Sequence, residues 1–417
     1  MALTQVRLKF TGWEMSTIEE KFAALAADNA PGQEVRQAVG NIDNLRRGEQ
    51  LVGRPVDFSH GDVDAFTPTP GAFEAFEAAV AAGGRQAYTE YRGAGAIRDD
   101  LAIKLADYTG APISAADELI ITPGTQGALF LAVAATVAAG DKVAIVQPDY
   151  FANRKLVQFF GGQVMPVSMD YMRDEHVAGL DLAQLREAFV GGAKVFLFSN
   201  PNNPTGAVYS AAEITEIARL AKEFGVTVIA DQLYSRLSYD GVHYTHLRAT
   251  GLPGDAIVTI MGPSKTESLS GYRLGVAFGA KAVVERMEKL QAIVSLRAAG
   301  YNQAVMSTWF SEPVGWMEER VQLHQAIRDD LVRVFRQAGM PLRVPQAGSY
   351  LFPTLPPLSI GLIDFVRLMR LQAGVIVTPG TEFGPHPSSI RLNFSQDHEA
   401  AVAACERIID MAKRYRA

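Results

Sequence analysis

At 417 residues, with 48% hydrophobic and 20% charged side chains, the chain has ordinary globular proportions and is long enough for two cores, which excludes extended disorder. A formal net charge of −6 without a basic block argues against a nucleic-acid partner, and the single cysteine, Cys405, permits no internal disulfide and no redox or zinc motif. Met1–Arg7 lacks the basic-then-apolar order of a signal peptide and the apolar run from Ala128 to Gly140 is too short to span a bilayer, so a cytoplasmic protein with no membrane partner is expected.

The chain before Asp57 carries charged helical stretches, and Asp57–Asp64 and Thr67–Gly71 form a turn-rich crossing. Beyond it, apolar runs that end in polar residues recur. Leu119–Thr122 leads into Pro123–Gly127, Lys142–Val146 into Gln147–Tyr150, and Lys194–Phe198 into Ser199–Gly206. Val226–Ala230 leads into Asp231–Tyr234, and Ala256–Met261 into Gly262–Arg273. Each reads as a buried strand that delivers its chemistry at the carboxyl end, where open α/β sheets place ligands. Ser210 and Glu213 predict a capping box opening a helix that runs to Phe224 and stops at Gly225. Strands alternating with helices predict a mostly parallel sheet covered on both faces.

After Ala280 the pattern changes to helices through Glu285–Gln291 and from Trp316 to Gln337. Short strands return at Ser349–Phe352, Val375–Thr378 and Ile390–Phe394, with amphipathic helices at Leu362–Leu371 and His398–Tyr415, an α+β composition. The expected architecture is a large α/β domain over residues 66–300 and a smaller α+β domain built from both chain ends, 1–65 and 301–417. His243 and His246 lie in a Gly/Tyr/Thr-rich stretch that reads as a surface turn. Without a carboxylate or cysteine cluster beside them, no metal site is expected.

Lys265 stands in a Gly/Ser-rich turn directly after an apolar strand, with Arg273 eight residues on among small residues. A lysine held in such a crevice can lose its proton and act as an amine nucleophile, forming a Schiff base with a carbonyl. Arg273 could meet a phosphate. Gly124-Thr125-Gln126-Gly127, between a strand and an apolar helix, offers backbone N–H groups and a helix dipole to the same kind of group.

In this order, these signatures make the chain resemble a pyridoxal-phosphate (PLP) enzyme of the aspartate aminotransferase fold, class I/II, from about Asp57 to the carboxyl terminus. The resemblance implies a large domain with a mostly parallel seven-stranded sheet, a smaller α+β domain and a homodimer. Lys265 matches the lysine that holds the cofactor aldehyde as an internal aldimine and then shuttles the Cα proton. Asp231 matches the aspartate that keeps the pyridine nitrogen protonated. Tyr234 and Asn203 match the pair that hydrogen-bonds the phenolic oxygen. Gly124, Thr125, Gln126, Ser264 and Arg273 match the phosphate cup. Tyr150 matches the aromatic stacked on the ring, or else fills the core beside Pro148. Tyr88, favoured over Tyr91 by its spacing to Gly93, matches a tyrosine reaching the neighbouring subunit's phosphate.

Arg391 matches the arginine that grips the substrate α-carboxylate with its guanidinium fork, and Gly61 a glycine whose backbone approaches that group. Arg297 lies at a spacing from Lys265 close to that of the arginine which, in aspartate-specific members, crosses the dimer interface to bind a side-chain carboxylate. Its plainer role is that of a helix-terminal arginine satisfying carbonyls.

Two departures stand out. Gly262 occupies a position where the family often has a phosphate-binding serine, and Thr266–Ser270 is more polar than the usual aromatic-glycine version. Phe10–Glu14 and Val35–Gln37 faintly resemble PLP enzymes that oxidise or cyclise arginine derivatives. The implied function is transfer of an α-amino group from an L-amino acid to a 2-oxo acid by a ping-pong mechanism. The alternatives are a PLP-dependent lyase, cyclase or oxidase, or an effector-sensing domain. The acidic balance and the lack of a preceding basic helix-turn-helix oppose the last.

Overall fold

Seven segments rich in Val, Ile, Leu and Phe pair into one sheet: β1 (Leu119–Pro123), β2 (Lys142–Gln147), β3 (Gln163–Ser168), β4 (Ala193–Ser199), β5 (Thr227–Asp231), β6 (Ile257–Met261) and β7 (Leu274–Gly279). Their spatial order is β1-β7-β6-β5-β4-β2-β3, parallel throughout except that β7 runs antiparallel to both β1 and β6. The computed structural model describes residues 18–25, 31–32, 34–38, 40, 42–61, 65–239 and 241–417. Phe10–Glu14 lies outside the described residues, as do positions 62–64 of the expected turn-rich crossing.

Because strand side chains alternate, a sheet buried on both faces needs continuous apolar runs. Val143, Ile145, Val195, Leu197, Ile229 and Ile260 fill the core on one face, and Ala144, Val146, Phe196, Phe198, Val228 and Ala230 the core on the other. Each fully buried Val, Ile, Leu or Phe contributes about 1.5–3 kcal/mol. Two strands were not legible as runs. β3 is a partly exposed edge interrupted by Pro166. β7 contains Gly275 and ends in Gly279, and it is a strand because it fits a slot: a Cβ on Gly275 would stand 2.4 Å from the Thr125 amide nitrogen.

The capping box at Ser210 and Glu213 forms as expected, and the helix Ala211–Phe224 ends at Gly225 in the left-handed conformation. Glu213 has a second duty, accepting hydrogen bonds from the amides of Ala178, Gly179 and Leu180. His246 departs from the surface-turn expectation. It is packed edge-on against Tyr108 and Tyr244 and hydrogen-bonded to Gln232 at 3.0 Å, and burial pushes it down to about 4. His243 is exposed, as a turn residue should be.

A further core draws on both chain ends: Ile42, Val56, Phe58 and Phe66 from one, and Leu331, Phe335, Phe365, Phe394 and Tyr415 from the other. Val56–Asp57 pairs in parallel with Val375–Ile376, while β8 (Tyr350–Leu351), β9 (Thr378–Pro379) and β10 (Ile390–Asn393) form an antiparallel sheet in the order β9-β10-β8. The single strand expected over Val375–Thr378 is thus divided between two sheets. The helices Trp316–Gln337, Leu362–Ala373 and His398–Arg414 cover this core.

Candidate active site

The carboxyl ends of the central strands converge. Ser199 at the end of β4 pairs with Asp231 at the end of β5, and Asp231 with Ile260 of β6, so the turns bearing Asn203, Tyr234 and Lys265 lie side by side. Together with Thr125, Gln126, Leu129, Tyr150, Ser199, Pro201, Asp231, Leu233 and Tyr350 they line a cavity that, with the solvent at its mouth, encloses about 500 Å³ of empty space. Seven residues singled out from the sequence therefore meet in one place: Thr125, Gln126, Tyr150, Asn203, Asp231, Tyr234 and Lys265. Lys265 also opens onto an adjoining compartment with Gly61 and Ser264.

Burial controls the electrostatics. It pushes Asp231 up to about 6 against the Leu233 amide that it accepts at 3.1 Å. It raises Tyr150, whose hydroxyl donates to Gln126 Oε1 at 3.0 Å.

Arg391, only 3% exposed, is the most telling charge. It donates to Asn203 Oδ1 and Ser59 O at 3.1 Å each and faces Thr378 Oγ1 at 3.5 Å; none of these is a carboxylate, and its Nε has no partner among the described residues. Its guanidinium lies between the rings of Tyr350 and Phe383, 4.4 and 4.7 Å from their centres. Among the described residues no carboxylate bonds this cation; a buried cation without an anion is costly, and a ligand carboxylate would relieve it.

At the other end, the helix Gly124–Thr136 starts against Arg273, whose Nη2 would stand 2.7 Å from a Cβ on Gly124. Gly262, where a serine was the alternative, has a packing reason: a Cβ there would stand 2.8 Å from Thr125 Cγ2 and 3.1 Å from Gly275 Cα. The Thr125 side chain fills the space that a serine would need. Ser264 Oγ donates to Leu274 O at 3.3 Å at the same end. An amine, a carboxylate for a basic ring nitrogen, an aromatic face, phenol and amide donors and a cationic helix start fit a phosphorylated pyridine aldehyde.

The profile of the family described as "aminotransferase class I and II" matches residues 54–408. The chain belongs to this family. Class I and II aminotransferases use PLP, and the fit of the donor set above agrees with that cofactor. This aminotransferase is 29% identical over 328 residues to the putative aminotransferase YugH of Bacillus subtilis, covering 78% of this chain and 83% of the relative. It is 28% identical over 385 residues to an aspartate aminotransferase of Streptomyces avermitilis, covering 88% and 91%. Its fold superposes on the crystal structure of an aspartate aminotransferase from Rhodobacter sphaeroides with a TM-score of 0.92 at 65% identity, covering 96% of this chain and all of that one. The seven-stranded sheet expected from the resemblance is present, and the chain is a PLP-dependent aminotransferase.

Two sequence candidates lie apart from the aminotransferase cavity. Tyr88 is 79% exposed, and Arg297 stacks on it at 5.0 Å and on Tyr91 at 5.4 Å while donating to Thr89 O at 2.6 Å. Sequence reading also missed three residues. Tyr350 is seen from sequence only as part of a strand, although a phenol on a buried strand needs a polar partner. Asp149 and Ser199 pin the Asn203 turn: Asp149 accepts from the Ser199 amide at 2.9 Å, the Ser199 hydroxyl and the Tyr150 amide at 2.6 Å, and Ser199 Oγ accepts from the Asn203 amide at 3.1 Å. Burial pushes Asp149 up to about 8 against those donors.

The polar Thr266–Ser270 stretch is a clamp. Arg236 bonds Glu312 through both terminal nitrogens, at 2.7 and 3.0 Å, and Glu267 through one. Ser268 Oγ accepts from Arg320 of the Trp316–Gln337 helix at 2.9 Å. The side chains of Arg236, Glu267 and Glu312 are 10%, 1% and 5% exposed, so their charges are little screened. Burial pushes Glu267 up to about 7, whereas for Glu312 the bidentate Arg236 outweighs burial and holds it low. Arg236→Ala is expected to destabilise the fold by about 3–5 kcal/mol in denaturant melts, because two carboxylates lose their cation. Glu267 binds its proton more tightly folded than unfolded, so its favourable contribution is complete below its ordinary value and is lost as pH rises through about 7. The Arg236→Ala deficit should therefore deepen above pH 7 and shrink in acid. A pH-independent deficit would show that Glu267 does not change its charge across the range.

Proposed function

We propose that this aminotransferase is a cytoplasmic homodimer that takes the α-amino group of an L-dicarboxylic amino acid and passes it to a 2-oxo acid. When bound, PLP supplies an aldehyde that condenses with amines and a ring that accepts the electrons left at Cα. Lys265 supplies the attaching amine and, once released, carries the Cα proton. Asp231 holds the proton of the ring nitrogen, and Asn203 and Tyr234 donate to the phenolic oxygen. Gly124, Thr125, Gln126, Ser264 and Arg273 hold the phosphate, with Tyr150 against the ring. Arg391 and the backbone near Gly61 take the α-carboxylate. The buried Arg391 cation beside the Lys265 cavity, bonded to no carboxylate among the described residues, is the observation that carries this reading.

The dicarboxylic preference and the dimer rest on Arg297 and its surroundings. Tyr88 beside it, and Ile293 and Leu296 just before it in the chain, are exposed at 79%, 80% and 53%, an apolar face suited to a second copy. The similar proteins from Streptomyces and Rhodobacter, described as aspartate aminotransferases, support the same choice.

The test is a half-reaction with amino donor alone and without oxygen. L-Aspartate or L-glutamate should convert the bound cofactor stoichiometrically to its pyridoxamine form, faster than L-alanine does. Arg297→Ala should slow the dicarboxylic donors roughly 10- to 150-fold while sparing alanine, the loss of about one charge-assisted contact of 1.5–3 kcal/mol. Keto-acid release without pyridoxamine formation would instead favour a lyase, cyclase or oxidase outcome. Unchanged selectivity would return Arg297 to packing on Tyr88.

A further inference from the structure

Tyr234 donates its hydroxyl hydrogen to the Tyr350 oxygen at 2.7 Å, with the two rings edge to face, 5.3 Å apart at 73°. Both side chains are 5% exposed and both line the cavity with Lys265, Asn203 and Asp231. They come from different parts of the chain: Tyr234 from the turn after β5, Tyr350 from β8. Arg391 of β10 covers the Tyr350 ring at 4.4 Å, and Asn393 of the same strand pairs with Tyr350 across the β8–β10 ladder. Among the described residues, the charged and titratable groups that act most on the two phenols are Arg391, Lys265 after β6 and Tyr150 after β2, with Asp231 lining the same cavity.

The pair is polarised. Burial foremost raises Tyr234 well above the ordinary phenol value. Burial would raise Tyr350 too, but the Arg391 and Lys265 cations, with the Tyr234 bond, outweigh it and hold Tyr350 below that value. Tyr350 therefore competes for the Tyr234 hydrogen with any other acceptor in the cavity. A hydroxyl has one hydrogen to donate. To the extent that Tyr350 accepts it, no other oxygen in the cavity does.

We propose that Tyr350 is a positioning residue acting through Tyr234: it draws the Tyr234 hydrogen away from the cavity and so raises the proton affinity of the cofactor-bound Lys265 nitrogen. The inference rests on the reading that Lys265 carries the cofactor and that Tyr234 faces its phenolic oxygen. A hydrogen bond donated to that oxygen stabilises its negative charge, which favours loss of the proton from the neighbouring nitrogen; drawing the donor away has the opposite sign.

The experiment is a pH titration of the visible absorbance of the holoenzyme in wild type, Tyr350→Phe, Tyr234→Phe and the double variant. Tyr350→Phe should lower the apparent pKa of the Lys265 nitrogen by about half to one unit, the size of a redirected neutral hydrogen bond. In the Tyr234→Phe background the same substitution should have no further effect, because the hydrogen it controls is gone. Equal melting temperatures of wild type and Tyr350→Phe would show that the shift is not a folding defect. An unchanged or raised pKa in Tyr350→Phe, or an equal drop with and without Tyr234, overturns the proposal and leaves Tyr350 a packing residue. Absence of a titrating cofactor band in wild type would defeat the reading of Lys265 itself, and the Tyr350 inference with it.

Discussion

Lys265→Ala protein is expected to lose steady transamination, by at least the roughly 10²–10⁴-fold that a positioned general base contributes, while still binding PLP weakly. The loss is large because one amine serves twice, as the attachment point and as the carrier of the Cα proton. Binding should persist because the groups at the start of the Gly124–Thr136 helix and Arg273 do not depend on Lys265. Borohydride reduction followed by peptide mapping reads the result. Wild type should carry the reduced adduct on Lys265, and the variant should carry none. A reducible adduct surviving in Lys265→Ala would place the attachment on another lysine.

Asp231→Asn should separate stability from function. The half-reaction should slow by orders of magnitude, because the cavity loses the negative charge that keeps the ring nitrogen protonated. The cofactor-free protein should behave in the opposite way at neutral pH. Burial raises Asp231 from 3.8 to about 6, so the folded state binds its proton more tightly than the unfolded state. The favourable contribution of Asp231 is thus complete below about pH 4 and is lost as pH rises through about 6. Above that, the wild-type protein holds a desolvated carboxylate that the amide variant lacks, so cofactor-free Asp231→Asn should melt higher than wild type at pH 7–8 and the gap should close in acid. A variant that melts lower across the range would mean that the Asp231 charge is compensated in the folded protein. Near-normal half-reaction rates would assign the ring nitrogen to another group.

The chain order of the polar strand ends made much of the site legible. Lys265, Asp231, Tyr234, Asn203, Thr125, Gln126 and Tyr150 each follow an apolar run, and a parallel sheet has to bring such ends to one edge. The five strands read from these runs are buried on both faces, as is β7. β3 and β7 escaped because an exposed edge with a proline and a glycine-bearing strand have little periodic signal of their own. Gly262 illustrates the same limit. By sequence it is a missing serine; in the fold it is the space occupied by the Thr125 side chain.

By itself, then, the sequence determined the fold class, the direction of the chemistry along the sheet and most of the residues at its edge, since alternation, capping and turn chemistry are local. Tertiary structure alone decided the contacts between segments distant in the chain. Arg391 meets Asn203 across 188 residues and Tyr234 meets Tyr350 across 116, pairings with no local pattern to betray them. The clamp from Glu267 to Arg236 and Glu312 is of the same kind. A buried charge or phenol is satisfied by whatever the fold brings against it, and the physical reason for its placement lies in that neighbour rather than in its own stretch of sequence.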